Sequence, residues 1–288
     1  PPSISPTLNS GQLKVGFDST IAENKSGGQS IKLGVRGLDW RDGENVLALV
    51  DRFNFDVARI DLDQNVFTID SIESSGVESQ ATLNADGSLD AFGFRIAPSP
   101  AAAEPEPAPA IVITDATGQT DLAAHLAAKR TTLPLVTINK LDLGLKRFSI
   151  TDASRPNAAP IELADVSVKN ASPIQAGGTD AEALPPIDVM INAALKPLTG
   201  ENEIHLVATP FAQRPRLSID LLARGISGEG ITKVVPEVAK LVDGSGLVDG
   251  QFKTKFEAEL VIDRRSPTDF NLARGFGAEI NVTGIEFR

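Results

Sequence analysis

Gln251-Phe-Lys-Thr-Lys-Phe-Glu-Ala-Glu-Leu-Val-Ile-Asp263 alternates almost without fault. Phe252, Thr254, Phe256, Ala258, Leu260 and Ile262 fall on one side of an extended chain. Gln251, Lys253, Lys255, Glu257, Glu259 and Asp263 fall on the other, and Val261 breaks the pattern. Successive side chains of a strand point to opposite faces, so a period of two marks a strand with one apolar and one polar face. An amphipathic helix would instead space its apolar residues three and four apart. The same alternation recurs at Leu13-Val15-Phe17, Ile31-Leu33-Val35, Val189-Ile191-Ala193-Leu195, Ile204-Leu206-Ala208, Leu217-Ile219-Leu221 and Ile280-Val282. Asp42-Gly43, Asp86-Gly87, Gly177-Gly178 and Thr199-Gly200 punctuate these runs as turns. The expectation is a mainly β fold of roughly 14 to 18 antiparallel strands, each polar on one face and aliphatic on the other. Such strands form either a repeating β-groove or a β-sandwich-like pair of sheets.

The chain also repeats itself. Gly250-Gln251-Phe252-Lys253 lies on Gly11-Gln12-Leu13-Lys14, and Phe256 lies on Phe17. Further on, Glu279-Ile-Asn-Val-Thr-Gly-Ile-Glu-Phe287-Arg288 echoes Ile31-Lys-Leu-Gly-Val-Arg-Gly-Leu-Asp-Trp40-Arg41. A second echo relates the stretch from Ile60 to Asp70 to the stretch from Leu141 to Asp152, with one residue inserted. A period this long implies a repeat built of many strands, and a chain that is a piece of something longer. The expected division is one unit over 1–97, a linker or loop over 98–110, a second unit with short helices over 111–245, and the start of a further unit over 246–288. The linker rests on Pro98 to Pro109, which is rich in Pro, Ala and Glu and favours an extended, solvated chain. Two short helices are expected. One runs from Gly118 to Arg130, with Leu122 and Leu126 a turn apart. The other runs from Gly230 to Val242, with Val234, Val238, Leu241 and Val242 on one face.

Composition narrows the function. Hydrophobic residues make up 41% of the 288, but aromatics only 5%, with no Tyr and one Trp. That mixture suits an aliphatic lining better than a large aromatic core. The net charge of −11, with no basic cluster, argues against nucleic acid as a partner. No stretch of about 20 apolar residues is present to span a bilayer as a helix. Cysteine is absent, and the two histidines, His125 and His205, are far apart in sequence, so neither a disulfide nor a zinc site is expected. Asp61, Asp63 and Asn65 imitate the start of a calcium loop. Val66 stands where the turn glycine belongs and Ile72 where the final Glu belongs, so these residues read as the charged face of a strand. Gly225-Ile-Ser-Gly-Glu-Gly230 precedes a helix, the setting of an anion site, but no Lys-Ser/Thr pair follows and it reads as a strand-to-helix turn. No catalytic residue, cofactor or metal ligand is assigned, and the chain is not expected to be an enzyme.

The order of motifs in the second half carries a resemblance. It runs from Leu141 through Phe148-Ser-Ile-Thr-Asp152-Ala-Ser-Arg-Pro156 to Ile161-Glu-Leu-Ala-Asp-Val-Ser-Val168. It continues with Gly225 to Pro236 and ends at Gly246-Leu-Val-Asp-Gly250-Gln-Phe-Lys253. This order resembles the AsmA-like envelope proteins of bacteria, in particular their large periplasmic members, over about residues 133–288, with 7–97 as the neighbouring unit. The resemblance implies a long periplasmic β-groove, anchored in the inner membrane by a segment outside this chain. It implies phospholipid or another acyl lipid as ligand, carried between the inner and outer membranes, with no catalytic residues to transfer. The implied protein partners are adjacent repeat units of the parent chain and other envelope proteins.

On that reading the groove is lined by Leu13, Val15, Phe17, Ile31, Leu33, Val35, Val189, Ile191, Ile204, Leu206, Phe252, Phe256, Leu260 and Ile262. The alternation alone also fits a non-enzymatic structural or assembly module of the envelope with a closed, dry β-sandwich core. The two differ in whether the aliphatic face is continuous and uncovered.

Overall fold

The computed structural model describes residues 3–24, 27–98, 133–212, 214–241, 243–262 and 276–287, with side chains up to residue 259. Among the described residues fifteen strands form a single sheet. In chain order they are β1 (Ser3–Pro6), β2 (Gly11–Glu23), β3 (Gln29–Asp42), β4 (Asn45–Asp61), β5 (Val66–Leu83), β6 (Leu89–Ala91), β7 (Phe94–Ala97), β8 (Leu135–Asp152), β9 (Ile161–Asn170), β10 (Ile174–Ala176), β11 (Ile187–Lys196), β12 (Thr199–Thr209), β13 (Arg216–Ile226), β14 (Gly250–Ile262) and β15 (Phe276–Phe287). Across the sheet the long strands run β2-β3-β4-β5-β8-β9-β11-β12-β13-β14-β15. Near its end β5 outruns β4, and there Ala81–Leu83 pairs with β6, which leads through β7 to β1. At its start β8 likewise carries β10 where β9 does not reach.

The architecture is mainly β, as the alternation predicts, and it is one open sheet rather than two packed ones. The sandwich expectation is therefore corrected: the described residues supply no second layer. Among the described residues the buried hydrophobic side chains are five alanines (81, 164, 181, 194, 223) and three valines (57, 189, 234), none of them wholly enclosed, and the one wholly enclosed side chain is Ser88. A dry core would instead enclose Leu, Ile and Phe, which interiors favour.

Three further expectations are corrected. The strands are not all antiparallel, because β5 and β8 pair in parallel from Val66↔Leu135 to Leu83↔Asp152. Parallel neighbours cannot be joined by a tight hairpin, so β5 and β8 are not consecutive strands. The second helix is α1 (Gly228–Val234), followed by a separate 3₁₀ turn at Val238–Lys240. Pro236 lies between them; it has no N–H to continue the ladder and disfavours helix in the residue before it. Val234 is buried, but Leu241, expected on the same face, is 84% exposed. Thirdly, Asp61, Asp63 and Asn65 do not share a strand face, because residues 62–65 are the turn between β4 and β5. The helix expected over 118–130, His125, and the Pro-rich stretch beyond Pro98 lie outside the described residues, and so does Val242.

One feature organises the sheet: a row of β-bulges crosses it from edge to edge. It starts at Gly37 of β3, which with Leu38 opposes Val15 of β2. Level with Gly37, the ladders from β3 through Asp51 of β4 to Gly76 of β5 keep register, and the next shifts are at Gly76 of β5 and Lys146 of β8 in the β5–β8 pairing. Beyond that lie Asp165 of β9, Gly200–Glu201 of β12 and Arg224–Gly225 of β13, and the row ends at Gly284–Ile285 of β15, opposite Thr254. Gly37, Gly76, Asp165 and Gly225 all have positive φ, between 53° and 68°. A bulge bends its strand and increases its twist, so bulges in register crease the whole sheet along one line.

Candidate functional site: the apolar face

Residues directly opposite each other in a ladder share a face, so the pairings map each face strand by strand. On β2 and β3, Ile21↔Ile31, Phe17↔Val35 and Leu13↔Trp40 are opposed. On β3 and β4, Ile31↔Val57, Leu33↔Phe55 and Val35↔Phe53 follow. Phe55↔Ile72 leads into β5, and Ile72↔Leu141 leads into β8. Leu143↔Val168 and Leu145↔Val166 carry the face onto β9. It continues through Ile191↔Val168, Val189↔Leu206, Ile191↔Ile204, Leu206↔Ile219 and Ile219↔Phe256. An aliphatic surface thus runs unbroken across the long strands.

The expected lining residues fall on this face in two groups. Leu13, Phe17, Ile31, Leu33 and Val35 sit on β2 and β3, with Val15 in the first bulge. Val189, Ile191, Ile204, Leu206, Phe252 and Phe256 sit on β11, β12 and β14. Leu260 and Ile262 continue β14 opposite Ala278 and Phe276, but their side chains are outside the described set. The strands between the groups supply what sequence reading missed: Phe53, Phe55 and Val57 of β4, Ile72 of β5, Leu143 and Leu145 of β8, and Val166 and Val168 of β9.

The bulges explain part of that omission. Past each one the parity of the apolar positions shifts by one. Val35 is followed on the same face by Leu38 and Trp40, and Leu145 by Phe148 and Ile150. The signal was a positive-φ glycine inside an alternating run, at which the count should restart.

The polar atoms on this face are occupied. Ser79 Oγ donates to the Leu47 carbonyl at 2.8 Å, and Asn202 Nδ2 donates to the Ala193 carbonyl at 3.0 Å and to Thr199 Oγ1 at 2.7 Å. Buried polar groups satisfied by their own backbone offer a ligand little polar recognition. At one end of the strands the face meets two small additions. Phe94 of β7 packs edge-on against Trp40, with ring centroids 6.4 Å apart. On the other side, α1 is tied to the sheet where Ser227 N–H donates to the Leu198 carbonyl and Ala159 N–H to the Lys233 carbonyl. Gly225-to-Gly230 is accounted for structurally. Gly225 forms the bulge, and Ser227 Oγ accepts from Gly230 N–H at 3.1 Å as the helix cap.

The opposite face is ionic. Lys146 Nζ reaches Glu78 at 2.7 Å, Arg216 Nε reaches Glu259 at 2.8 Å, and Lys255 Nζ reaches Glu257 at 2.7 Å. Lys140 pairs with Glu73 and Arg224 with Glu203. His205 Nε2 lies 2.8 Å from Asp188 Oδ1. The hydrogen bond from Lys140 holds the Glu73 carboxyl below its usual range, and the same bond raises Lys140. Asp61 is lowered chiefly by the Gln64 backbone N–H, which donates to Oδ1 at 2.9 Å, and further by Arg59. Among the described residues no three His, Cys, Asp or Glu side chains gather as a metal site, and no helix is long and apolar enough to cross a membrane.

The class this fold defines is a creased, single-layer β-sheet protein with one aliphatic and one ionic face. No protein-family model, curated protein or solved structure matches the chain.

Proposed function

We propose that the chain is a periplasmic segment of an AsmA-like protein. In this reading its aliphatic face holds the acyl chains of phospholipids in transit between the inner and outer membranes, and a segment outside these residues anchors the parent in the inner membrane. The observation that carries the reading is the aliphatic face: continuous from β2 to β14, with no Leu, Ile or Phe buried among the described residues. Apolar surface left in water is costly, and extended patches of it mark a binding surface. An acyl chain laid on such a face is withdrawn from water at about 0.8 kcal/mol per CH₂, which matches what it leaves behind in a bilayer. Headgroups stay in solvent along the rim, so no headgroup pocket is required. The row of bulges supports a trough rather than a flat sheet, because each bulge bends its strand about the same line.

Native mass spectrometry of the chain purified from bacterial envelopes tests this. Phospholipid adducts that are lost in Ile219→Asp support the reading. A lipid-free spectrum, with no uptake from added phosphatidylethanolamine–phosphatidylglycerol vesicles, overturns it.

A structural role in the envelope, with protein partners added at a sheet edge, has one observation in its favour: the outer edge of β2 has no partner strand among the described residues.

A further inference from the structure

We propose that the outer edge of β2 is the docking edge for one more antiparallel strand of the β13 kind, supplied by an adjacent unit of the same construction. The inference does not depend on what the aliphatic face binds.

The sequence echo between the two ends of the chain is also an echo of register. Lys14 of β2 stands opposite Asp39, and then Gly16 opposite Arg36, with the bulge between them. Lys253 of β14 stands opposite Glu286, and then Lys255 opposite Thr283, with a bulge at the same step. The β14–β15 pair therefore repeats β2–β3 residue for residue, with Leu13 as the counterpart of Phe252 and Phe17 as that of Phe256.

The two pairs differ on the side away from their partner. The outer edge of β14 is laddered by β13 from Arg216↔Glu259 to Ile226↔Gly250. The outer edge of β2 has no partner strand among the described residues. All thirteen residues of β2 are exposed, and Leu13, Phe17 and Ile21 are 60%, 65% and 68% exposed. A long, apolar edge strand with unpaired backbone groups is a template for strand addition, and proteins that do not use such an edge block it with prolines or short strands. Gly11–Glu23 contains no proline.

Register fixes the occupant. By the β13–β14 pairing, an aliphatic residue in the place of Ile219 belongs opposite Phe17, and a small one in the place of Ala223 opposite Leu13. A second copy of this chain cannot offer its own β13, because that strand is already held between β12 and β14.

The chain has no cysteine, so an engineered one reports a single contact. The test uses the whole chain carrying Phe17→Cys and a synthetic peptide spanning 216–226 with cysteine in place of Ile219, under mild oxidation. A slip of one residue turns every side chain to the other face, so the disulfide adduct at Phe17→Cys is expected at least about tenfold above that at Asp18→Cys. Leu13→Cys with cysteine in place of Ala223 is an independent second pair, should the first variant fold poorly by circular dichroism. Equal adducts at positions 17 and 18, no adduct at either pair, or disulfide-linked copies of the chain in excess of the peptide adduct would overturn the proposal.

Discussion

The two faces of the sheet are made from the same strands, yet they have opposite relations to their surroundings. On the ionic face several neighbouring strands are joined by ion pairs: Lys146 reaches Glu78, Arg216 reaches Glu259, and Arg224 bridges Glu201 and Glu203. On the aliphatic face the strands contribute Phe53, Phe55, Ile191, Ile219 and Phe256 to a layer that nothing in the described chain covers. A sheet that needed only to be stable would fold a second layer or helices onto that face. Under the proposed reading the aliphatic side is the one that meets the ligand, and the ionic side faces water.

The largest expected effect tests that division directly. Ile219→Asp places a carboxylate in the middle of the aliphatic face, opposite Leu206 and Phe256. Lipid occupancy should fall more than about tenfold, because an acyl chain cannot cover a charge without desolvating it. The fold should survive with a loss under about 2 kcal/mol in denaturant titration, since water reaches an open face. Loss of folding would mean that the face is covered after all.

The crease can be tested next. Gly76 has φ +63° and a Cβ there would meet the Asp51 carboxylate, whereas Gly37 has φ +58° and open space around it. Left-handed backbone costs an L-residue about 1–2 kcal/mol. Gly37→Ala should lose about that much by urea titration, and Gly76→Ala should lose more because Asp51 must also move. Equal losses would show that strain alone, and not the close packing of β4 on β5, governs the bulge.

Smaller effects belong to the ionic face. Lys140→Met removes one partner of Glu73 and should leave the midpoint of denaturant unfolding nearly unchanged, as for most exposed pairs, with lipid occupancy unchanged. Loss of lipid in this variant would erase the distinction between the faces. Smallest is the response to acid. Glu73, Asp61 and Asp152 have carboxyls held below their ordinary values, by Lys140, by the Gln64 amide and by the Ser154 hydroxyl respectively. A carboxyl lowered in the folded state stabilises it fully above the unfolded value of about 4, and that contribution disappears as pH falls through the lowered value. Thermal melts should therefore be flat from pH 7 to about 5 and decline below about 4.

Much of this was legible in the sequence. The alternation from Gln251 onward shows the strand, its two faces and, through Phe252 and Phe256, the aliphatic layer. The echo of residues 11–17 in 250–256 shows a repeated pair that the ladder registers then reproduce. What could not be read has physical reasons. Parallel pairing of β5 with β8 is set by how the connection is routed, and alternation is the same in either direction. The bulge at Asp165 has no glycine to mark it, although its φ is 53°. The strands between the two groups went unread as lining because a parity slip at each bulge makes a one-face pattern look irregular. The apolar spacing continues through Pro236, so it overstates the length of the helix, which ends at Val234. The turn at residues 62–65 reads as strand in sequence because Asp61 and Asp63 keep a spacing of two on either side of an exposed Leu62.

Adjacent residues on one strand give the most direct test of the central claim. Ile191 lies on the aliphatic face opposite Ile204, and Met190 lies on the ionic face opposite His205. A photoreactive amino acid placed at each position in turn, in cells labelled with radioactive phosphate, reports which face meets lipid. The account predicts labelled phospholipid cross-linked at position 191 and none above background at position 190. Equal labelling at both, or none at 191, would contradict it.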